Sequence, residues 1–248
     1  MHRTSKEIII FLNLAMPAFT ACNELPYEQS AFDIDKVIQY YSLTKNDRQV
    51  SALAVFCYDL PLSLCRAGEG IELPAGSELR LDERILEPVR DFSQNAVKNV
   101  TYGSVFMHTE NESLLKFDLK ILERRYENGF QLPGLESLQI SPVISKKSEY
   151  LADVIQPSLA GFAARVDIAS GAPGDSGGLL FTEENIPVDL SGRLRFSISS
   201  LELAKVPAGR HILRLILTSN PKILSESTLI GGKADITISR EIDITVVE

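Results

Sequence analysis

The sequence predicts a mainly β protein, two β-sandwich domains carried behind a cleaved signal peptide. Three observations predict it. Apolar and polar residues alternate in several short runs, most clearly where Leu115, Phe117, Leu119 and Ile121 are separated by Lys116, Asp118 and Lys120. That is the period of a strand with one wet face. Turn-forming clusters such as Pro74-Ala75-Gly76, Asn111-Glu112 and Pro207-Ala208-Gly209 punctuate the runs, at the roughly 8–12-residue spacing of sandwich strands. The closing stretch from Ala234 to Val247 is rich in Ile, Val and Thr, side chains that fit a pleated surface.

The chain opens with Arg3 and Lys6, then runs almost wholly apolar from Ile8 to Ala21, where a small residue precedes Cys22. A positive start, a short apolar middle and a small-residue end form the grammar of a secretory signal peptide. The apolar run is about fourteen residues, short of the roughly 20 a membrane-spanning helix requires. Residues 1–21 are therefore assigned as leader and 22–48 as a tether and N-terminal segment. Within it Phe32, Ile34, Val37, Ile38 and Tyr41 are spaced as on a short helix; a tether followed by an edge strand fits the same residues.

A first β-domain is expected over 49–150 and a second over 151–248, divided by a Pro- and Ser-rich loop within 145–160. The first opens with the strand VSALAVFCYDL, stopped by Pro61, and continues as GIELPAGSELRLDERIL, read as a hairpin about Pro74-Ala75-Gly76. The second holds GFAARVDIA, SGRLRFSIS, ADITISREIDITVVE and the apolar run RHILRLILTS, read as a buried central strand.

Net charge is -8 and the sequence pI about 5.1. No basic stripe is present, so a phosphate backbone is repelled and nucleic-acid binding is excluded. Trp is absent and aromatics make up 7% of residues, which argues against a platform of stacked rings for sugars. Once Cys22 is set aside, Cys57 and Cys65 form an even pair in an oxidising compartment. A disulfide between them closes a small loop worth about 2–3 kcal/mol; two buried thiols are the alternative. No histidine or further cysteine stands near enough to complete a metal tetrahedron. The acidic pairs Asp82-Glu83 and Glu183-Glu184 lack the spacing of a calcium loop. Neither metal nor cofactor is expected.

The ending F-T-A-C resembles the lipobox of bacterial lipoproteins, with Phe19 where that motif usually carries Leu. The resemblance implies lipidation at Cys22 and anchoring in the bacterial cell envelope; a soluble periplasmic or secreted protein is the alternative. Gly174-Asp175-Ser176-Gly177-Gly178 resembles the nucleophile motif of chymotrypsin-like serine proteases, which implies Ser176 as nucleophile and an oxyanion hole in its loop. That family's residue order leaves His108 as base, because His211 follows the serine. His108 lacks the family's Ala-His-Cys surroundings, and only 68 positions separate it from Ser176. The motif is therefore read as a surface loop of standard loop residues, and no catalytic residue is assigned. His108 and His211 are both read as structural.

The leader ending at Cys22, the stretch from VSALAVF to GIELPAGSELRL, and the closing PAGRHILRLILT and ADITISREIDITVV strands resemble small bacterial envelope lipoproteins built of immunoglobulin-like β-domains. This implies a non-enzymatic, tethered protein with a binding or structural role and a protein partner in the envelope. A fimbrial or adhesin-like surface subunit and a divergent trypsin-like hydrolase are the alternatives.

Overall fold

The computed structural model describes residues 32–46, 49–58, 70–91, 99–107, 113–135, 138–171 and 178–248. The leader, Cys22, Cys65, His108 and Ser176 lie outside them. Asp33–Glu248 packs as one compact unit, and the protein is mainly β, as the sequence predicts.

Sixteen strands are described: β1 (Val37–Asn46), β2 (Gln49–Tyr58), β3 (Glu78–Leu81), β4 (Arg84–Ile85), β5 (Glu87–Asp91), β6 (Asn99–Met107), β7 (Ser113–Ile121), β8 (Arg124–Leu132), β9 (Val143–Ser145), β10 (Tyr150–Ile155), β11 (Phe162–Ser170), β12 (Leu179–Pro187), β13 (Arg193–Ile198), β14 (Gly209–Ser219), β15 (Lys222–Ile223) and β16 (Gly232–Val247). The largest sheet has ten strands in the order β12-β11-β14-β16-β1-β2-β6-β5, with β15 and β9 also paired to β16. A four-stranded sheet runs β4-β3-β7-β8, and β10 pairs with β13.

The segment expected as a helix or an edge strand is neither. Only Ile34–Lys36 turns, as a 3-10 helix capped by the Asp33 side chain, and β1 then enters the middle of the large sheet. It pairs antiparallel with β2 and parallel with β16, Gln39 opposite Gly232 and Asn46 opposite Ser239. One face of β1, Val37, Gln39, Tyr41, Leu43 and Lys45, is buried throughout. The spacing that mimics a helix arises because Ile38 and Tyr40, on the opposite face, are also shielded.

The sheet also runs across the expected 150/151 boundary. Strands from both halves meet on β16, which takes β14 and β15 along one edge and β1 and β9 along the other. The Pro74-Ala75-Gly76 turn exists, with Ser77 N donating to Pro74 O at 3.0 Å, but residues 70–73 before it form no strand. The chain reverses at Asp82-Glu83 instead, where Asp82 takes a left-handed φ of 52°.

The four-stranded sheet packs on β1 through aromatic rings, and the ring layer continues across β2 and β6 of the large sheet. Tyr41 stacks on Phe117 at 4.3 Å and 15°, Phe117 meets Phe130 edge-on, and Phe56 meets Tyr102 edge-on. Each such pair contributes about 0.5–1.5 kcal/mol beyond the area it buries. Along β7 the alternation is as predicted: Leu115, Phe117, Leu119 and Ile121 face the core. RHILRLILTS is indeed a buried central strand, β14, between β11 and β16.

A tight turn joins β12 to β13. Asp189 Oδ1 accepts from Ser191 N and Arg193 N, and Gly192 O accepts from Gln156 N. Gly192 has φ 77°, and a Cβ there would stand 2.0 Å from Gln156 O, whereas one at Gly76, φ 85°, would meet nothing within 4 Å. Both Gly→Ala changes carry the left-handed cost of about 1 kcal/mol. Only Gly192→Ala adds a backbone clash, so it is expected to lose roughly 3 kcal/mol in all, read from urea unfolding midpoints. Equal losses in the two variants would contradict this account of the turn.

Candidate functional site

A cleft that gathers many charged side chains lies on the wet face of the four-stranded sheet. Alternation places Glu78 and Arg80 of β3, and Asp118 and Lys120 of β7, on the same outward face, and Arg125 of β8 beside them. With Asp82 and Glu83 from the β3–β4 turn they line an open depression of about 460 Å³. Arg125 grips Asp118 with two hydrogen bonds of 2.8 Å and reaches Glu127 at 2.8 Å. Arg80 pairs with Glu78. Asp82 is bound to the backbone: its N donates to Lys116 O, and its Oδ1 accepts from Lys116 N at 2.9 Å. The hydrogen bond from Arg125 holds the Asp118 carboxyl below the usual range. Such a group stays ionised and is a poor general acid. The cleft presents alternating charge, with Arg125 paired to Asp118 and Arg80 to Glu78.

A second polar network lies on the large sheet. Asp167 of β11 is buried, accepts from Arg165 Nε at 2.9 Å, and accepts from Thr182 Oγ1 at 2.7 Å. Arg165 also reaches Glu184 at 3.2 Å, and Arg214 of β14, directly across from Asp167, pairs with Glu241 at 2.8 Å. Each arginine thus pairs with a carboxylate on a neighbouring strand, Glu184 of β12 for Arg165 and Glu241 of β16 for Arg214. On β10, Asp153 binds Arg193 and Arg195 of β13 at 2.5 and 3.0 Å.

The Gly-rich loop departs from β11 and returns to β12. Ser170 N donates to Gly178 O at 3.1 Å across its base. Opposite Ser170, on β14, is His211, the histidine that residue order sets aside. His211 is buried, with Nε2 2.8 Å from Pro207 O. A carbonyl only accepts, so Nε2 carries the proton, and buried Nδ1 has no partner among the described residues. The structure therefore holds His211 by its own loop. β6, after which His108 follows in the chain outside the described residues, is five strands from β11 in the sheet order. Residue order and sheet order thus point to different histidines.

Cys57 lies near the end of β2, fully buried and packed with Tyr40 and Val55. It belongs to the face of β2 opposite Phe56 and the aromatic core.

Arg193 and Arg195 depress the Asp153 carboxyl to about 2, chiefly through the hydrogen bond from Arg193. A lowered folded-state pKa stabilises the fold above the ordinary carboxylate value, and that contribution fades as pH falls through about 2. In an NMR pH titration the Asp153 carboxyl of Arg193→Ala is expected to titrate closer to an ordinary aspartate. An unchanged midpoint would remove Arg193 as the cause.

No family model matches the chain, and no curated protein matches it. Among solved structures, that of a 1.5-MDa bacterial ice-binding adhesin, studied for host cell surface retention, aligns at 10% identity and a TM-score of 0.22. It covers 85% of this chain, and this chain spans 65% of that one. A marsupial T cell receptor aligns at 8% identity and a TM-score of 0.21, over 82% of this chain and 74% of its own. Superpositions this loose carry no argument about function.

Proposed function

We propose that this chain is a non-enzymatic, lipid-anchored protein of the bacterial cell envelope with a binding or structural role. The observation that carries the reading is the leader ending at Ala21-Cys22 ahead of a compact β unit that begins at Asp33. Eleven residues from Cys22 to Asp33 reach at most about 39 Å when extended. That holds the unit within one domain's length of the surface. The described polar side chains support a binding role, because the carboxylates of Glu78, Asp118, Asp153 and Asp167 are each engaged by an arginine. Their chemistry is that of a rigid, charge-patterned surface.

The fibre-subunit reading requires an edge that accepts a foreign strand. At one end of the large sheet, β12 carries two register shifts against β11, the acidic Glu183 and Glu184, and Pro187. At the other end, β5 carries Pro88. Bulges, charges and proline on edges oppose strand addition. These features favour the tethered monomer over the fibre subunit.

Intact mass of the protein extracted from its native envelope tests the anchor. A chain beginning at Cys22 with added acyl mass, absent from Cys22→Ala, is the expected result; an unmodified chain cleaved near Cys22 would overturn it. The same spectrum tests the proposed Cys57–Cys65 disulfide, which makes the chain two daltons lighter than its reduced form. A fluorophosphonate probe is expected to leave the folded protein unlabelled. Labelling that disappears in Ser176→Ala would move the protein to the hydrolases.

A further inference from the structure

The end of the unit where the chain enters carries an unusual surface. Asp33 leads into the 3-10 turn, whose Asp35 is gripped by Arg124 at the start of β8. That pair places the β7–β8 turn, with Leu122 at its tip, beside the start of the unit. The β15–β16 hairpin loop arrives at the same place: Thr228 Oγ1 donates to Val37 O, and Gln39 N donates to Gly231 O at 3.3 Å. Glu226 further ties this loop to β8 by accepting from Glu127 N at 2.7 Å. The aliphatic side chains on these two turns face water. Relative exposure is 57% for Leu122, 81% for Ile223, 85% for Leu229 and 41% for Ile230.

Neighbouring residues show that this is not a frayed loop. Leu224 and Thr228, in the same hairpin, are buried. Leu224 N donates to Gly232 O, and Gly231 N to Thr228 O. The backbone is fixed, and it fixes Ile223, Leu229 and Ile230 outward. Lys222 and Lys233 are both exposed and flank Ile223, with Ile223 directly opposite Lys233. Aliphatic tips with two lysines beside Ile223 suit the boundary between acyl chains and anionic headgroups, although exposed Glu123 and Glu226 stand on the same turns.

We infer that this end is a membrane-contacting tip, in which Leu122, Ile223, Leu229 and Ile230 enter the bilayer interface while Lys222 and Lys233 meet anionic headgroups. The inference rests on the lipid-anchor reading and deepens it. The chain joins the unit at the end that carries the aliphatic turns, which puts these turns at the end nearest the anchor. One lipid group and a few shallow side chains act together as two linked contacts, so the second is made at high effective concentration.

The test uses the full exported chain on vesicles of phosphatidylethanolamine and phosphatidylglycerol. An environment-sensitive dye is attached at Leu229→Cys, at Leu122→Cys, or at Leu179→Cys as the control, an exposed site beside the Gly-rich loop. Intact mass of each sample reports acylation separately. The proposal expects blue-shifted emission at 229 and 122, quenched by shallow spin-labelled lipid, and water-like emission at 179. Acylated protein with the same water-like emission at all three sites would overturn the tip while leaving the anchor intact. A blue shift at 229 that lipid-borne quencher does not reach would overturn it in favour of a protein contact. A chain without acyl mass removes the anchor reading, and the tip is then judged by the same emission with vesicles present and absent. Unaltered far-UV circular dichroism in the three variants excludes misfolding as the cause.

Discussion

The parallel pairing of β1 with β16 is the contact on which the remaining architecture depends. It joins residues 39–46 to residues 232–239, so the first described strand is seated only when the last is present. β16 has sixteen residues, far longer than an ordinary strand of five or six, because it serves two neighbours on each edge. Its backbone groups are satisfied along β14 and β15 on one side and along β1 and β9 on the other. Gly232 marks where this closure is tightest. A Cβ there would lie 2.5 Å from Leu224 Cδ1 and 2.6 Å from Gln39 O, so only glycine lets the hairpin and β1 approach together. Contacts of this sequence separation are entropically costly to form and slow to nucleate. The aromatic layer of Tyr41, Phe56, Phe117 and Phe130 is centred on Tyr41 of β1, the strand that β16 and β2 hold between them.

How far the sequence reveals this fold depends on whether each face has one chemistry. β7 is legible because its outward positions are Lys116, Asp118 and Lys120, and every inward one from Leu115 to Ile121 is apolar. β14 is legible because its apolar run is buried in the middle of a sheet. β1 is not, because its buried face includes Gln39 and Lys45 and its other face carries Ile38 and Tyr40. Polar residues inside and apolar residues outside erase the period of two. Domain division fails as a reading for a different reason. A Pro- and Ser-rich loop does occupy the stretch before β10, but the strands on both sides of it pair with β16, and pairing partners far apart in the chain leave no local signature.

The same limit applies to the sites. Glu78, Arg80, Asp118, Lys120 and Arg125 are individually recognisable as wet-face residues, but their joining in one cleft follows from the register of β3, β7 and β8. The Gly-rich loop shows the opposite error. Chain order selects His108 as partner for Ser176, whereas strand order places His211 across from Ser170 at the loop's base. His211 Nε2 is taken up donating to Pro207 O, and burial encloses Nδ1. Triads are recognised by geometry and roles, and a five-residue motif supplies neither.

The long strand also gives the molecule a direction. β16 starts at Gly232, beside the point where the chain enters, and reaches Ile244 opposite His211. About twelve residues at roughly 3.3 Å each separate those levels by about 40 Å. The base of the Gly-rich loop, Ser170 with Gly178, lies at the distant level, and the exposed aliphatic turns lie at the near one. Under the proposed anchor at Cys22, the Gly232 end of β16 is the one nearer the tether, and the Ser170–Gly178 pair lies at the far end, with the charged faces of the sheets between them. Under the envelope reading, a protein partner meets the distal end or those charge-laddered faces, and the aliphatic turns are left to the bilayer.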